Sequence, residues 1–191
     1  MLTNEILRRF EYALAFHCAP ALAGIKSADL ISWTGAPEEG AALVERFARE
    51  LAGAGISVEL LCRCERHGLI LVYRRGLLER QLERQEVRYM LRRDGYPVDK
   101  GLEAMLGCLS RRLRECREFP HEVGLFLGYP AEDVEGFRDH GGRDYKCCGL
   151  WKVYSDVERA QTCFRRYGCC RRALCRRLEQ GRSLGEVFRA A

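Results

Sequence analysis

The 191-residue sequence has no apolar run that approaches the ~20 residues needed to cross a bilayer. Its first ten residues also lack a basic region followed by an apolar core and a small-residue cleavage site. There is no low-complexity segment, and the hydrophobic content of 47% is ordinary for a globular chain. We therefore expect a cytoplasmic protein that has no membrane partner.

The sequence also lacks any C-x₂-C motif, although it contains eleven cysteines. This absence removes the usual signals of zinc knuckles and ferredoxins. Without an export signal, cysteines are expected as thiols or metal ligands and not as disulfides. The favoured interpretation is that the cysteines are small hydrophobic residues buried in the core. A metal or redox site assembled across segments stays an alternative, with candidate ligands Cys147, Cys148, Cys169 and Cys170.

Lysine is scarce, since only four of the 32 basic residues are lysines. The two basic side chains do different jobs, because an ammonium is compact and a guanidinium is a planar fork. Two of the four lysines, Lys26 and Lys152, stand in apolar surroundings. This placement favours a specific role for both, such as pairing with an anionic group.

The net charge of +5 is concentrated at one end of the chain. From Ser155 onward there are nine arginines and four acidic residues, a difference of +5, so residues 1–154 are balanced. Such a region could contact phosphates or an acidic partner. No recognisable nucleic-acid-binding motif accompanies it, so nucleic acid is not the expected partner. Binding of nucleic acid or protein by this region stays an alternative.

Hydrophobic periodicity predicts one α+β domain over residues 1–191, with three to five mainly antiparallel strands covered by helices. Alternating runs at 56–64 and 69–74 predict a β-hairpin. Further strands are expected in part of the Leu22–Trp33 segment, within 119–130, and over 145–154.

Helices are predicted by apolar residues that recur every three to four positions. The first covers 3–17 and is stopped by Pro20, and the second begins near Pro37. Two long helices separated by Gly95–Pro97 follow the hairpin, the later one reaching Cys116, and another begins at Pro130. A long basic helical region, 155–191, with Ser155 as its possible cap, should pack on the rest.

Three segments carry a family resemblance: HCAPALAGIK at 17–26, FPHEVGLFLGYPAEDVEGF at 119–137 and GLWKVY at 149–154. Together they resemble the bacterial family named domain of unknown function 3793 (DUF3793), and the resemblance spans nearly the whole chain. It implies a bacterial cytosolic protein. It implies no activity, because that family has no established function to transfer.

His121 and Glu122 are the first candidates for chemistry, since an adjacent imidazole and carboxylate can supply a general acid and base or metal ligands. On a strand they would face opposite sides and would not share one site. An ordinary histidine at the edge of the core is equally expected. Gly128, before Tyr129, could let the backbone approach a ligand. The stronger explanation for this segment is that it starts the next helix, whose N-terminus is stabilised by acidic residues in its first turn.

Cys18 and Lys26 are further candidate catalytic residues. Cys18 is expected at the C-terminal end of the first helix, where the helix dipole disfavours a reactive thiolate. Lys26 could form a Schiff base if desolvated, although a lysine lying along the surface is the simpler interpretation. On a strand over 145–154, Lys152 and Tyr154 would share a face, and they would be open to a ligand if Trp151 faces the core.

The leading hypothesis is a small-molecule site for an anionic or planar ligand, located where segments 18–26, 119–133 and 149–154 meet. Polar residues within apolar segments usually have a partner or a function. The expected ligand-binding residues are Gly128, Tyr129, Trp151, Lys152 and Tyr154; the candidate catalytic residues are Cys18, Lys26, His121 and Glu122. The pattern selects no reaction, cofactor or oligomeric state, and it leaves open whether the site is catalytic or only binds.

Overall fold

A three-stranded antiparallel sheet forms the centre of the computed structural model, which describes residues 2–63, 67–115 and 119–189. Its strands β1 (Ala28–Thr34), β2 (Ser57–Arg63) and β3 (His67–Tyr73) lie in the order β1-β3-β2. The pairing of β2 with β3 confirms the predicted hairpin. Cys64 and the turn residues 65 and 66 lie outside the described residues.

Helices surround this sheet, and a second sheet of two short strands lies apart from it. The strands are β4 (Cys147–Cys148) and β5 (Lys152–Val153). In chain order the helices are α1 (Asn4–Leu22), α2 (Pro37–Leu51), α3 (Arg75–Leu82), α4 (Gln85–Arg93), α5 (Gly101–Glu115), α6 (Val123–Phe126), α7 (Ala131–Asp139), α8 (Val157–Glu179) and α9 (Leu184–Phe188), with a 3₁₀ turn at Ala52–Ala54. The predicted α+β class with a small antiparallel sheet is confirmed.

The central sheet is buried on both faces, because successive residues of β3 point in opposite directions. Ile70 and Val72 pack with α1, α2 and the C-terminal part of α8. Leu71 and Tyr73 face the other way, against an apolar cluster built by α3 to α7. Burial on both faces explains why β3 is a nearly continuous apolar run.

The first helix is longer than predicted, because α1 continues through Pro20 to Leu22. Proline weakens a helix since it has no N–H and its ring crowds the preceding turn. Here it lies in the last turn, which is buried. The N–H of Ala21 donates to Asp29 Oδ2 at 3.0 Å, so this donor is satisfied from outside the helix.

The two long helices expected after the hairpin are three helices in the structure. The first is divided into α3 and α4 at Arg84, whose extended ψ of 135° ends the helical hydrogen-bond ladder. The next, α5, begins at Gly101 and not at Val98. Its predicted end at Cys116 lies outside the described residues.

The strand predicted within 119–130 was wrong. This segment makes a turn at His121 and Glu122 and continues into α6. The N–H of Leu127 donates to the carbonyl of Val123 at 3.0 Å, as in a helix. Residues 122–127 are all buried. A short apolar run of this kind fits a buried strand and a buried helical turn equally well.

The segment 145–154 was also predicted as one strand, and it is a small hairpin. The N–H of Lys146 donates to Val153 O at 2.8 Å, and that of Gly149 donates to Trp151 O at 3.1 Å. Leu150 and Trp151 therefore lie in the turn. The alternation of faces expected for a single strand does not apply to them, since it requires extended backbone on both sides.

The long C-terminal helix is confirmed as α8, which packs along α1. Its cap is Asp156 and not Ser155, because Asp156 Oδ1 accepts a hydrogen bond from the N–H of Arg159 at 3.0 Å. Leu174 and Cys175 join the core beside α1. Within the described ranges, no helix combines the length and the apolar character that a membrane span needs.

Candidate functional site

A cavity of about 340 Å³ opens between the α6–α7 segment and the β4–β5 hairpin. We call it the aromatic pocket, because rings of Phe119, Tyr129, Phe137 and Trp151 line it. The remaining lining residues are His121, Val123, Gly124, Asp133, Val134, Cys148, Gly149, Leu150 and Lys152. Two of the three segments expected to form a site, 119–133 and 149–154, therefore meet at one cavity.

Trp151 is held in the pocket wall by contacts on several sides. Its ring stacks on Tyr129, with centroids 4.9 Å apart and an interplanar angle of 26°. Its edge meets Phe164 of α8 at 4.6 Å. Its Nε1–H donates to Asp133 Oδ2 at 2.7 Å. Such a ring is pre-positioned, so a planar ligand would meet a rigid surface.

Asp133 organises this wall, and no pattern in the sequence indicates that role. Its side chain is 2% exposed, and its Oδ1 accepts hydrogen bonds from the N–H groups of Tyr154 and Ser155, both at 2.8 Å. With Trp151 on Oδ2, one carboxylate connects α7 to the hairpin and to the start of α8. In sequence it was only one of two acidic residues in a first turn, and nothing distinguished it from the exposed Glu132.

Gly149 is required by the packing of the hairpin on α8. A Cβ atom built there would lie 2.2 Å from Cε2 of Phe164. Any other residue would therefore displace the Phe164 ring that supports Trp151. Phe137 and Phe164 contribute to the site and were not predicted, since an aromatic residue on an amphipathic helix is ordinarily core.

Lys152 and His121 are the basic side chains that line the pocket. Lys152 Nζ donates to the carbonyl of Gly142 at 2.6 Å and lies 5.5 Å and 5.1 Å from the ring centroids of Phe137 and Tyr145. Across the described ranges, no carboxylate pairs with it. The His121 ring packs on Phe137 with centroids 4.8 Å apart.

Glu122 is not part of this site, although it adjoins His121 in sequence. Its carboxylate is 4% exposed and accepts a hydrogen bond from the hydroxyl of Tyr96 at 3.1 Å. It also pairs with Arg112 Nε at 2.8 Å and lies 3.7 Å from Arg138. The structure thus separates the two candidates, as expected, but by a turn and not by strand alternation. Glu122 connects α5 and α7.

Lys26 lies in a buried ion pair. Its Nζ is 2.5 Å from Asp29 Oδ1, and the two side chains are 7% and 8% exposed. Burial raises the pKa of Asp29 above its ordinary value, and the charge of Lys26 opposes that rise. The expectation that Lys26 lies along the surface was wrong, because the chain after α1 turns this side chain inward.

Tyr129 is where all three segments come into contact. Lys26 Nζ lies 5.2 Å from its ring centroid, Trp151 stacks on the ring, and its hydroxyl donates to Leu150 O at 3.4 Å. Burial is the main reason that its pKa is raised. The 18–26 segment therefore touches the aromatic pocket through Tyr129 and does not line it.

Cys18 is fully buried inside α1, and not beyond its end. Burial raises the pKa of its thiol well above the ordinary value, and the charge of Asp29 raises it further. Both effects oppose a thiolate, which agrees with the expectation of an unreactive cysteine. Cys18 lines none of the cavities described for residues 2–63, 67–115 and 119–189.

Tyr154 and Gly128 lie beside the pocket and do not line it. The Tyr154 ring stacks on His140 with centroids 5.5 Å apart. Gly128 has a φ of 75°, and a Cβ there would lie 2.7 Å from Ser27 Oγ. Glycine is needed at this position for both reasons, and Gly128 lines two other cavities, one of them together with Lys26.

The four candidate metal ligands are free cysteines, of which Cys148 and Cys169 are exposed. Cys148 lines the aromatic pocket. The nearest polar contact of Cys169 is with Arg172, whose Nη2 lies 3.1 Å from its sulfur. In the described part of the chain, no three His, Cys, Asp or Glu residues are grouped as a metal site requires.

Comparison with known proteins adds one finding. A family model described as "Protein of unknown function (DUF3793)" matches residues 14–188. No curated protein and no solved structure matches the chain. The matched range contains the aromatic pocket, the Lys26–Asp29 pair, the C-terminal half of α1 and all of α8, so these features lie within the family's own domain.

Proposed function

Because the chain belongs to the DUF3793 family, whose function is unknown, its role must come from its own geometry, and we propose that the aromatic pocket binds a small planar anion such as an aromatic carboxylate. One observation carries this proposal. The ammonium of Lys152 lies among the rings that line the cavity, and it has no carboxylate partner in the described structure.

The planar part of the ligand is supported by the shape and lining of the cavity. Trp151 and Tyr129 form a stacked wall, and Phe137 and Phe119 add further rings. The volume of about 340 Å³ lies near the lower end of the ~300–1,000 Å³ that ligand pockets usually have. A compact ring system with one short substituent suits that space.

The negative charge of the ligand is supported by the polar groups. Lys152 donates to one carbonyl, and an ammonium has three donors, so two remain for a ligand. Asp133 is the acidic residue of the lining, and both of its oxygens already accept hydrogen bonds. A ligand carboxylate would therefore meet the ammonium of Lys152, while the oxygens of Asp133 are directed at the N–H groups of Trp151, Tyr154 and Ser155, and His121 can add a donor.

The proposal is for binding, because the candidate catalytic residues do not come together in the described part of the pocket. His121 and Glu122 have separate surroundings, and Cys18 and Lys26 lie outside the cavity. We extend the proposal to location: the protein acts in a bacterial cytoplasm, as its family resemblance and cysteine-rich composition suggest. Lys152 and Trp151 are the residues that contribute most to affinity.

A ligand titration tests the proposal. Trp fluorescence is followed while benzoate, 2-naphthoate or quinoline-2-carboxylate is added, with each neutral amide as the comparison. We expect the carboxylates to bind and Lys152→Met to weaken binding by about tenfold or more, as loss of a charge-assisted hydrogen bond predicts. Lys100→Met is the matched control, because Lys100 is exposed and lies away from the pocket.

Two results would contradict the proposal. The first is equal affinity of carboxylate and amide, which would remove the role of charge. The second is unchanged binding by Lys152→Met, which would move the anion away from this ammonium. Native mass spectrometry of anaerobically purified protein gives an independent check, since a co-purifying aromatic acid should be lost in the same variant.

A further inference from the structure

The arginines of α8 carry charge that no described carboxylate pairs with, a property that they share with some arginines elsewhere, such as Arg8. Eight arginines outside α8 take part in ion pairs, namely Arg49, Arg75, Arg84, Arg88, Arg92, Arg93, Arg112 and Arg138. Seven arginines lie on α8, and none of them is ion-paired with a described residue. Their charge is thus available to an external anion.

Aromatic side chains lie next to part of this charge. Arg8, Tyr12 and Phe16 follow at intervals of four along α1, so they form one row on its surface, and all three are exposed. The Tyr12 and Phe16 rings are 6.3 Å apart and nearly parallel, at 21°. They are 43% and 38% exposed, so both rings are accessible to a partner.

The packing of α1 on α8 brings this row beside the arginines. The guanidinium of Arg171 lies 4.7 Å from the centroid of Phe16. Arg172 and Arg176 are one helical turn apart on the same side of α8 and are exposed. We call the residues Arg8, Tyr12, Phe16, Arg171, Arg172 and Arg176 the arginine–aromatic face. Glu179 lies close enough to Tyr12 to contribute to the raised pKa of that tyrosine, so one acidic residue borders the face.

We propose that the arginine–aromatic face binds single-stranded nucleic acid. Proteins that bind single strands combine basic side chains along the phosphates with aromatic rings on which unpaired bases stack. Tyr12 and Phe16 supply two such rings, and the arginines supply the phosphate contacts. A duplex does not fit equally well, because its bases are already stacked and cannot cover these rings.

Charge complementarity favours this partner over two others. An acidic protein would satisfy the arginines and leave two parallel rings without a matching group. A lipid surface would require a continuous apolar face, but the apolar stripe of α8 is buried against α1. The sequence disfavoured nucleic acid because no motif marked it. The aromatic row became visible only once α1 was placed beside α8.

Fluorescence anisotropy with a labelled 12-nucleotide oligothymidylate tests the proposal on the full chain. Affinity should fall steeply between 50 and 200 mM KCl, as expected when phosphate contacts release counterions. Arg172→Gln with Arg176→Gln should weaken binding about tenfold and reduce the salt dependence. The control is Arg80→Gln with Arg143→Gln, which removes the same charge from exposed positions away from the face.

A second variant separates stacking from simple charge attraction. Tyr12→Ser with Phe16→Ser should weaken binding about tenfold while the salt dependence stays the same, since only base stacking is lost. Circular dichroism checks that α1 is retained. The proposal is overturned if the oligonucleotide does not bind at 50 mM KCl, or if the serine variant binds like the wild type. It is also overturned if polyglutamate or phosphatidylserine vesicles displace the strand more effectively than unlabelled oligothymidylate.

Discussion

Lys26 and Lys152 occupy two regions that the sequence treats alike and the structure treats differently. Both are rare lysines in apolar segments. Lys26 is paired at 2.5 Å with the buried Asp29, between α1 and β1. Lys152 faces the aromatic pocket and donates to one backbone carbonyl. A buried lysine with a carboxylate supports the fold, whereas a lysine with only a carbonyl keeps its charge for a ligand.

The contrast also extends to the surroundings of each lysine. Around Lys26, Asp29 accepts from both the ammonium and the N–H of Ala21, so the pair closes the end of α1 onto the sheet. Around Lys152, the polar groups of the wall are arranged by Asp133 and leave the ammonium at the cavity. The two regions should therefore respond to substitution in opposite ways, the first through stability and the second through affinity.

Replacement of Lys26 should have the largest effect on stability. Lys26→Met leaves the Asp29 carboxylate buried without its cation, and breaking a buried pair in this way costs ~3–5 kcal/mol. Urea unfolding followed by circular dichroism measures this loss. Lys26→Met with Asp29→Asn should recover most of it, because the asparagine oxygen can still accept from Ala21. A loss below about 1 kcal/mol in the single variant would show that Lys26 is not a structural lysine.

Replacement of Asp133 should have the next largest effect on stability, and it should also lower the affinity of the pocket. Asp133→Ala leaves three donors without their acceptor, at a cost of about 2–3 kcal/mol, and frees Trp151 from its orientation. Both stability and pocket affinity should fall. Glu132→Ala is the matched control, because Glu132 is exposed in the same first turn. Equal effects of the two variants would refute the organising role of Asp133.

Acid should reduce the cost of the Lys26→Met substitution by about 1–2 kcal/mol. The folded-state pKa of Asp29 is raised by burial, and Lys26 is the main group that lowers it. Without Lys26 the folded carboxylate takes up a proton at higher pH than the unfolded one. The penalty from ionised Asp29 is present above that raised pKa and disappears as pH falls towards the ordinary value. Urea unfolding of both proteins at pH 7.5 and 4.5 measures the difference, and a constant gap would argue against a charged Asp29.

Replacement of Lys152 should have the smallest effect on stability, below about 1 kcal/mol, because its one hydrogen bond is half-buried and no ion pair is lost. Its thermal unfolding midpoint should stay close to that of Lys100→Met. A large destabilisation would make Lys152 a structural residue like Lys26 and would remove the contrast between the two regions.

Some of the fold follows from local pattern. The alternating runs 56–64 and 69–74 predict the hairpin, and the 3.6-residue period after Ser155 predicts α8. The predictions for segments 119–130 and 145–154 were wrong because both segments are short, and pattern cannot distinguish strand, turn and helix over so few residues. For the site, the sequence predicted the segments better than the individual residues. Of the predicted residues, the pocket is lined by Trp151, Lys152, His121 and Tyr129, and it is not lined by Tyr154, Lys26 or Cys18.

The sequence alone determined the class of fold, the hairpin, the basic C-terminal helix and the short set of segments at which polar residues interrupt apolar ones. These properties depend on neighbours along the chain, so periodicity and composition report them. Only the tertiary structure decided which lysine has a carboxylate, which acidic residue of the α7 turn is buried, and which aromatic rings stand beside the α8 arginines. Those outcomes depend on contacts between elements that only the folded chain brings together. The partner that a charged side chain finds there decides whether its charge supports the fold or is left for a ligand.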